Sequence, residues 1–401
     1  MERTILHCDC NSFFASVEAK LNPQLNNHAF AVCGNPEYRH GIVLAKNDRA
    51  KKLGVQTGEA IWQAKSKCPS LVTVLPTYGA YEEFSDRIFN IYCRYTDLVE
   101  PFGIDECWLD VSGTLHFFGS GKELADEIRA TVKKEVGVTL SAGVSFNKIF
   151  AKMGSDYKKP DATTVITRDN YRQLLYPLPV TDMFFVGRNT ASHLQRLGVF
   201  TIGDAAALDA AVLECELGKF GAELYRNLHG LDISAVKPST YIHVNKSVGN
   251  GITFKHDLTT DGEVRTCVYL LSDKVAGRLR RHNAECTVLQ VTLKDTRLKC
   301  AVHQRKLMRP TQLSGDIAAA ALGLIDEMKD DNTFPVRAIT VTGQQLVPER
   351  SVYEQISFFD LDACIKREKR ESLEQVKDAL RDKFGGRSLV QCSLINNDLG
   401  L

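Results

Sequence analysis

The chain has 401 residues, 44% of them hydrophobic, and its 50 lysines and arginines against 49 acids leave a net charge of +1 that hides any local asymmetry. That size supplies several cores and predicts two to four domains. Twelve cysteines are scattered singly with no CxxC pair, which excludes a disulfide scaffold and predicts reduced, mostly buried thiols. The opening MERTILHCDC lacks a basic n-region followed by a long apolar stretch, and no run of 18 apolar residues occurs, so a cytoplasmic protein without a membrane span is expected.

The first predicted element is a strand, TILHCDC, followed by a helix, SFFASVEAKL. Strand alternation sends Ile5, His7 and Asp9 to one face and Leu6, Cys8 and Cys10 to the other. Asp9 and the two cysteines therefore cannot grip one ion, and the second half of a zinc site is missing. A carboxylate at a strand end suits a hard cation such as Mg²⁺, although a lone strand-end Asp is more often a helix cap. The stretch EPFGIDECWLDVSG, residues 100 to 113, places adjacent acids, Asp105 and Glu106, in an apolar run after a turn. Burying two acids is costly unless cations compensate them. Asp9, Asp105 and Glu106 on two neighbouring strands can hold two Mg²⁺ about 4 Å apart, an arrangement that supports phosphoryl or nucleotidyl transfer.

These stretches resemble the motifs of the Y-family, lesion-bypass DNA polymerases of the DNA polymerase IV group. HCDCNSFFASVE resembles the first palm motif, GIDECWLDVSG the second, and SAGVSFNKIFAKMGSDYKKPDATTV a third. The resemblance implies an α+β, multidomain right-hand polymerase. Its parts would be a ferredoxin-like palm (1–20 and 75–165), small fingers (21–74), a helical thumb (166–232), a linker (233–240), an α+β little finger (241–350) and a C-terminal tail (351–401). It implies template-directed, low-fidelity translesion synthesis from dNTPs. Asp9, Asp105, Glu106 and the backbone carbonyl of Cys10 would hold two Mg²⁺, with Mn²⁺ as a substitute. Ser12 and Phe13 would meet the triphosphate through their amides, Lys51 and Lys159 through charge. Ala45 would lie near the nascent pair, and Phe14 would be the steric gate against ribonucleotides. Four positions depart from the family pattern. Gly103 stands for a usual Ser, Asn11 for a common Asp, and Asp48 and Lys51 for a Tyr and an Arg. Asn11 and the last pair lean toward a polymerase V-type catalytic subunit, the nearest alternative. A nucleotide cyclase-like palm is more remote.

Further along, LPVTDMFFVGRNTASHLQRLGVFTIGDAAAL reads as two short helices around a Val-Gly turn and resembles a helix-hairpin-helix. Amides at Gly187 would then bind DNA phosphate. Residues 237–309 carry 14 lysines and arginines against 6 acids, a net of +8, leaving −7 for the remainder of a chain at +1. That asymmetry suits a DNA-tracking surface, with Lys246, Arg278, Arg280, Arg281 and Lys299 as candidate phosphate contacts. YEQISFFD resembles a sliding-clamp peptide, with Gln355, Ile356, Phe358 and Phe359 as anchors. IKREKRESLEQVKDALRDKFG reads as an exposed charged helix. Primed template DNA, dNTPs and a sliding clamp are the expected partners of a monomer.

Overall fold

The structure, a computed structural model, describes residues 3–35, 41–328, 335–349, 361–386 and 388–390. The chain divides into two compact units, residues 1–34 with 42–242, and 35–41 with 243–401. Among the described residues no helix is long and apolar enough to cross a membrane.

In the first unit, β1 (Ile5–Cys10) runs antiparallel between β6 (Glu106–Asp110) and β7 (Leu140–Ser145). With β5 (Val99–Pro101) and β8 (Thr163–Ile166) they form a five-stranded sheet, ordered β5-β6-β1-β7-β8. β1 is buried on both faces. Leu6, Cys8 and Cys10 enter a core built with α1 (Phe13–Leu21), α4 (Tyr78–Tyr92) and α5 (Gly121–Glu135). The other face is covered by α6 (Lys148–Tyr157), whose start is capped by Asn147 accepting from the Phe150 amide at 2.7 Å. Contact there is backbone to backbone. A Cβ on Gly143 of β7 would fall 1.9 Å from the Ala151 carbonyl oxygen, so only glycine lets α6 approach this closely.

A second sheet, ordered β3-β2-β4, is made of β2 (Phe30–Cys33), β3 (Val43–Lys46) and β4 (Val72–Val74). It carries α2 (Asp48–Lys52) and α3 (Ile61–Lys67) over a small core that includes Ala31, Val43, Ala50 and Ala64. The helical part of this unit comprises α7 (Tyr171–Leu175), α8 (Arg188–Arg196), α9 (Ile202–Ala206), α10 (Ala210–Leu217) and α11 (Lys219–Leu228). The expected pair of helices around Gly187 differs in detail. The first partner is a single 3-10 turn, Val180–Asp182, and Gly187 is the N-cap of α8 without a side-chain cap. The stretch expected to be a linker is strapped to the sheet. Val236 is buried beside Ile5, Trp108 and Ala151, and the Lys237 amide donates to Glu100 at 3.0 Å.

The second unit is a four-stranded antiparallel sheet, β11-β10-β12-β9, of β9 (Ser247–Leu258), β10 (Ala284–Asp295), β11 (Cys300–Thr311) and β12 (Val336–Pro348). Two helices pack on it, α12 (Asp261–Arg281) and α13 (Ser314–Met328). α14 (Leu361–Phe384) is exposed and charged over most of its described length, as expected, but one face is docked: Lys377 and Arg381 pair with buried Asp273 at 2.9 and 2.8 Å, and Arg367 pairs with Glu285 at 3.1 Å. Arg280, expected on DNA, is committed to this helix. Its guanidinium reaches Asp378 at 2.6 Å, Glu374 at 3.0 Å and the Gln312 carbonyl at 2.9 Å. All three nitrogens are used, so no donor fork is left for phosphate. Arg281, Arg278, Lys246 and Lys299 are exposed. The clamp-like residues Gln355, Ile356, Phe358 and Phe359 lie outside the described residues.

Candidate active site

The sheet register brings the acids together. Asp9 lies opposite Glu106 in the antiparallel β1–β6 pair. The carbonyl of Asp105, in the turn before β6, accepts from the Cys10 amide at 3.0 Å, which pins that turn to the end of β1. Like charges directly across a ladder repel, so compensation is needed. It comes from α6 and the loop after it. The Lys152 ammonium donates to Asp9 at 2.8 Å and to Glu106 at 2.6 Å. Lys159 reaches Asp9 at 2.8 Å and Asp156 at 2.7 Å. The Lys159 loop is itself held, since Asp161 pairs with Arg129 at 2.8 Å and Lys133 at 2.9 Å.

Titration follows these contacts. Burial alone would lift the Asp9 carboxyl, but Lys152 and then Lys159 outweigh it and hold it below its ordinary value. Asp105 is pushed up, first by burial and then by Asp9. Glu106 is also pushed up, by burial, with Asp9 and Asp105 adding to it against Lys152. Burial lowers Lys152, yet Asp9 and Glu106 together raise it well above the usual range. Burial followed by Lys152 holds His7 well below its ordinary value, as a neutral imidazole. The cysteines are bystanders: burial pushes the Cys8 thiol up to about 12, with Asp9 adding to it, so it stays protonated. Crowded, partly buried carboxylates of this kind fit hard divalent cations, which prefer oxygen ligands.

Asp9 and Asp105 open onto a cavity of about 350 Å³ whose walls include Cys10, Ser12, Phe13, Phe14, Ala45, Lys46, Asp48, Lys51 and Lys159. Ser12 holds a left-handed conformation, φ 48° and ψ 47°, at the junction of β1 and α1. Such a conformation costs a non-glycine residue roughly 1–2 kcal/mol and marks a turn held by its surroundings. The Phe13 ring is buried in the sheet's core. Phe14 is half-buried and lies flat on Tyr81, centroids 4.2 Å apart and planes 10° apart.

Both domain models of the impB/mucB/samB family match the chain, the first over residues 8–156 and its C-terminal domain over 245–358. A DNA polymerase IV of Acetivibrio thermocellus is 45% identical over 100% of this chain and 99% of its own. One of Bacillus velezensis is 34% identical over 99% of this chain and 94% of its own. The chain belongs to the Y-family of DNA polymerases, in the DNA polymerase IV group. A Y-family DNA polymerase chimera of solved structure superposes with a TM-score of 0.77 at 27% identity, covering 86% of this chain and 100% of that one. The relatives' names do not favour the polymerase V-type alternative.

The departures from the Y-family pattern have local causes. Asn11 is structural: its side chain accepts from the Ser141 hydroxyl at 2.9 Å and donates to Thr139 at 3.2 Å, tying the end of β1 to β7. A Cβ at Gly103 would sit 3.3 Å from Glu106 Cγ and 3.4 Å from Asp105 Oδ1, so glycine leaves both acids room. Asp48 is in the first turn of α2, where its charge meets the helix N-terminus favourably, yet it lines the cavity. Lys46, bonded to Thr57 at 3.0 Å, lines the same cavity. Sequence reasoning passed over Lys152 and Lys46. Lys148, Lys152 and Asp156 recur every four residues, which marks one face of α6.

Proposed function

We propose that this polymerase performs template-directed, low-fidelity DNA synthesis across damaged template, joining a dNTP to a primer 3′-hydroxyl and releasing pyrophosphate. The observation that carries this reading is the shared cavity, in which Asp9 and Asp105 face Phe14, Ala45, Lys51 and Lys159. Asp9, Asp105, Glu106 and the Cys10 carbonyl would hold two Mg²⁺. When bound, the ions supply the positive charge that activates the attacking hydroxyl and neutralises the triphosphate and its leaving group. The protein's own groups do the rest. Lys159 and Lys51 bring charge to the phosphates, Lys51 as a point charge rather than a bidentate fork. The amides of Ser12 and Phe13 meet the triphosphate at the start of α1. Phe14 lies under the sugar. Ala45, small and on the cavity wall, leaves the nascent pair little surface to be checked against, which suits bypass. Residues 1–20 and 75–165 act as palm, 21–74 as fingers and 166–232 as thumb.

DNA would be held through its phosphates by amides at Gly187 and by Lys246, Arg278, Arg281 and Lys299. The segment 355–359 would dock a sliding clamp through Phe358 and Phe359. Replacing both by Ala should remove clamp stimulation while leaving the free enzyme unchanged. Extension of a primed, lesion-bearing template with the four dNTPs and Mg²⁺ tests the whole reading. Extension past the lesion is expected. A protein that binds the primer–template yet adds no nucleotide, or that cyclises free nucleotides, contradicts it.

A further inference from the structure

α14 docks with its amphipathic faces reversed. The side chains it turns to its own domain are charged: Arg367, Glu374, Lys377, Asp378 and Arg381 hold Glu285, Arg280 and Asp273 through ion pairs. Among the described residues, none of α14 joins the apolar core of the second unit. Its large apolar side chains point the other way. Leu373 is 61% exposed, Val376 55% and Phe384 64%, and Ile365 and Leu380 are exposed as well. At 3.6 residues per turn these five fall within about 100° of the helix circumference, on the side away from the ion pairs. A surface helix ordinarily buries its apolar stripe and leaves its charges to water. An exposed apolar stripe rimmed by charge marks an interaction site.

The stripe is complementary to a second copy of itself. With two helices set antiparallel about Val376, Leu373 meets Leu380 of the second copy, the Lys369 stem and ammonium lie across the second Phe384 ring, and Glu368 meets the second Lys383. All three pairings fall in one register, each made twice by the twofold axis, and each is of a favourable kind: apolar packing, a cation over a ring, and opposite charges flanking the seam. Glu368, Lys369 and Lys383 are exposed and form no ion pair among the described residues. A parallel pair would instead set Lys369 against Lys369 and Lys383 against Lys383. We propose that two copies of this chain associate through an antiparallel α14–α14 seam centred on Val376. This departs from the monomer expected from the sequence. The charged face stays docked on its own domain, so the seam joins two second units without opening either. It runs only about 22 Å from Lys369 to Phe384. That is short beside a standard interface of about 800 Å² per partner, so association in the micromolar range is expected.

The test is sedimentation velocity of the full chain without DNA, from about 1 to 100 μM, with reductant present because Cys93, Cys215 and Cys300 are exposed. A monomer–dimer equilibrium is expected. Leu373→Glu combined with Leu380→Glu should leave only monomer, and both positions are exposed, so the fold is not at stake. Glu368→Lys alone and Lys383→Glu alone should each weaken self-association by about tenfold, since each loses two ion pairs and gains two like-charge contacts. An equimolar mixture of these two variants should recover wild-type affinity, because both cross-seam pairs are then opposite in charge again. That recovery depends on the antiparallel register, and a merely structural role of either residue would not produce it. A wild type that stays monomeric throughout leaves the stripe to another occupant, the chain's own C-terminal segment or a different protein, and overturns the proposal. A dimer that survives the double leucine substitution, or a mixture that associates no better than its components, overturns it too.

Discussion

Phe14→Ala should relax discrimination against ribonucleotides. The ring cannot swing aside, because it lies flat on Tyr81 at 4.2 Å and meets Tyr78 edge-on at 6.3 Å. Each such aromatic pair is worth about 0.5–1.5 kcal/mol beyond burial. Tyr81 is itself anchored, buried and donating to Glu18 at 2.5 Å. A 2′-hydroxyl pressed against this ring meets a clash it cannot push away, and loses its water without gaining a partner, at a cost of about 1–3 kcal/mol. The lower part of that range gives about tenfold discrimination, roughly 1.4 kcal/mol. Removing a fully buried Phe costs about 3–5 kcal/mol, and Phe14 is only half-buried, so the variant should lose about 2 kcal/mol and still fold. The assay is kcat/KM for a matched ribo- and deoxynucleotide in wild type and variant. At least a tenfold rise in relative ribonucleotide use is expected, with deoxynucleotide use changed far less. An unchanged ratio in a folded, active variant refutes the reasoning and places sugar selection elsewhere.

The two neighbouring arginines of α12 should separate stability from DNA contact. Arg280→Ala takes the arginine from Asp378 and leaves Glu374 only Lys377 and the Ser314 hydroxyl, and should destabilise the second unit by about 3 kcal/mol in denaturant titration, with little change in the salt slope of DNA binding. For the wild type that slope should be near −4 to −5 if about four to six phosphates are contacted, and Arg281→Ala should reduce it by about one. Equal effects of both substitutions on both readouts would contradict the division. Asp105 and Glu106 have raised folded-state values, so their contribution to stability is present below the unfolded value and lost as pH rises through the folded one. Asp105→Asn should therefore raise the melting temperature of metal-free protein at neutral pH, the gain disappearing below about pH 4. Asp9, held below its ordinary value, works the other way, and Asp9→Asn should lower the melting temperature. Calorimetry showing the reverse order would contradict the electrostatic account.

Much of the site was legible because it is local. Two residues each side of Asp9 alternate faces in any strand, and Asp105–Glu106 in an apolar run demands compensation wherever it sits. The compensating cation was not legible. Lys152 meets Asp9, 143 residues away in sequence, only once α6 crosses the sheet, and that crossing depends on Gly143 admitting the backbone of Ala151 and Ser155. His7 reads as one strand residue among six until its partners Ser155 and Glu106 arrive from other elements. The docking of α14 was not legible for a related reason. A helix with charges all round looks solvated, and nothing in its own pattern shows that Asp273, Arg280 and Glu285 wait for it. Once those pairs form, Arg280 ceases to count toward a DNA surface. The strapped segment near Val236 failed for want of periodicity, since a single buried valine and one backbone donor leave no repeating signal.

Single-turnover addition of one correct dNTP to a primed template by Asp105→Ala, with DNA affinity measured on the same preparation, tests whether Asp9, Asp105 and Glu106 form the catalytic centre. No detectable addition is expected, at least about a thousandfold below wild type or roughly 4 kcal/mol of lost transition-state stabilisation, with DNA affinity within about twofold. Addition at the wild-type rate by this variant would contradict it.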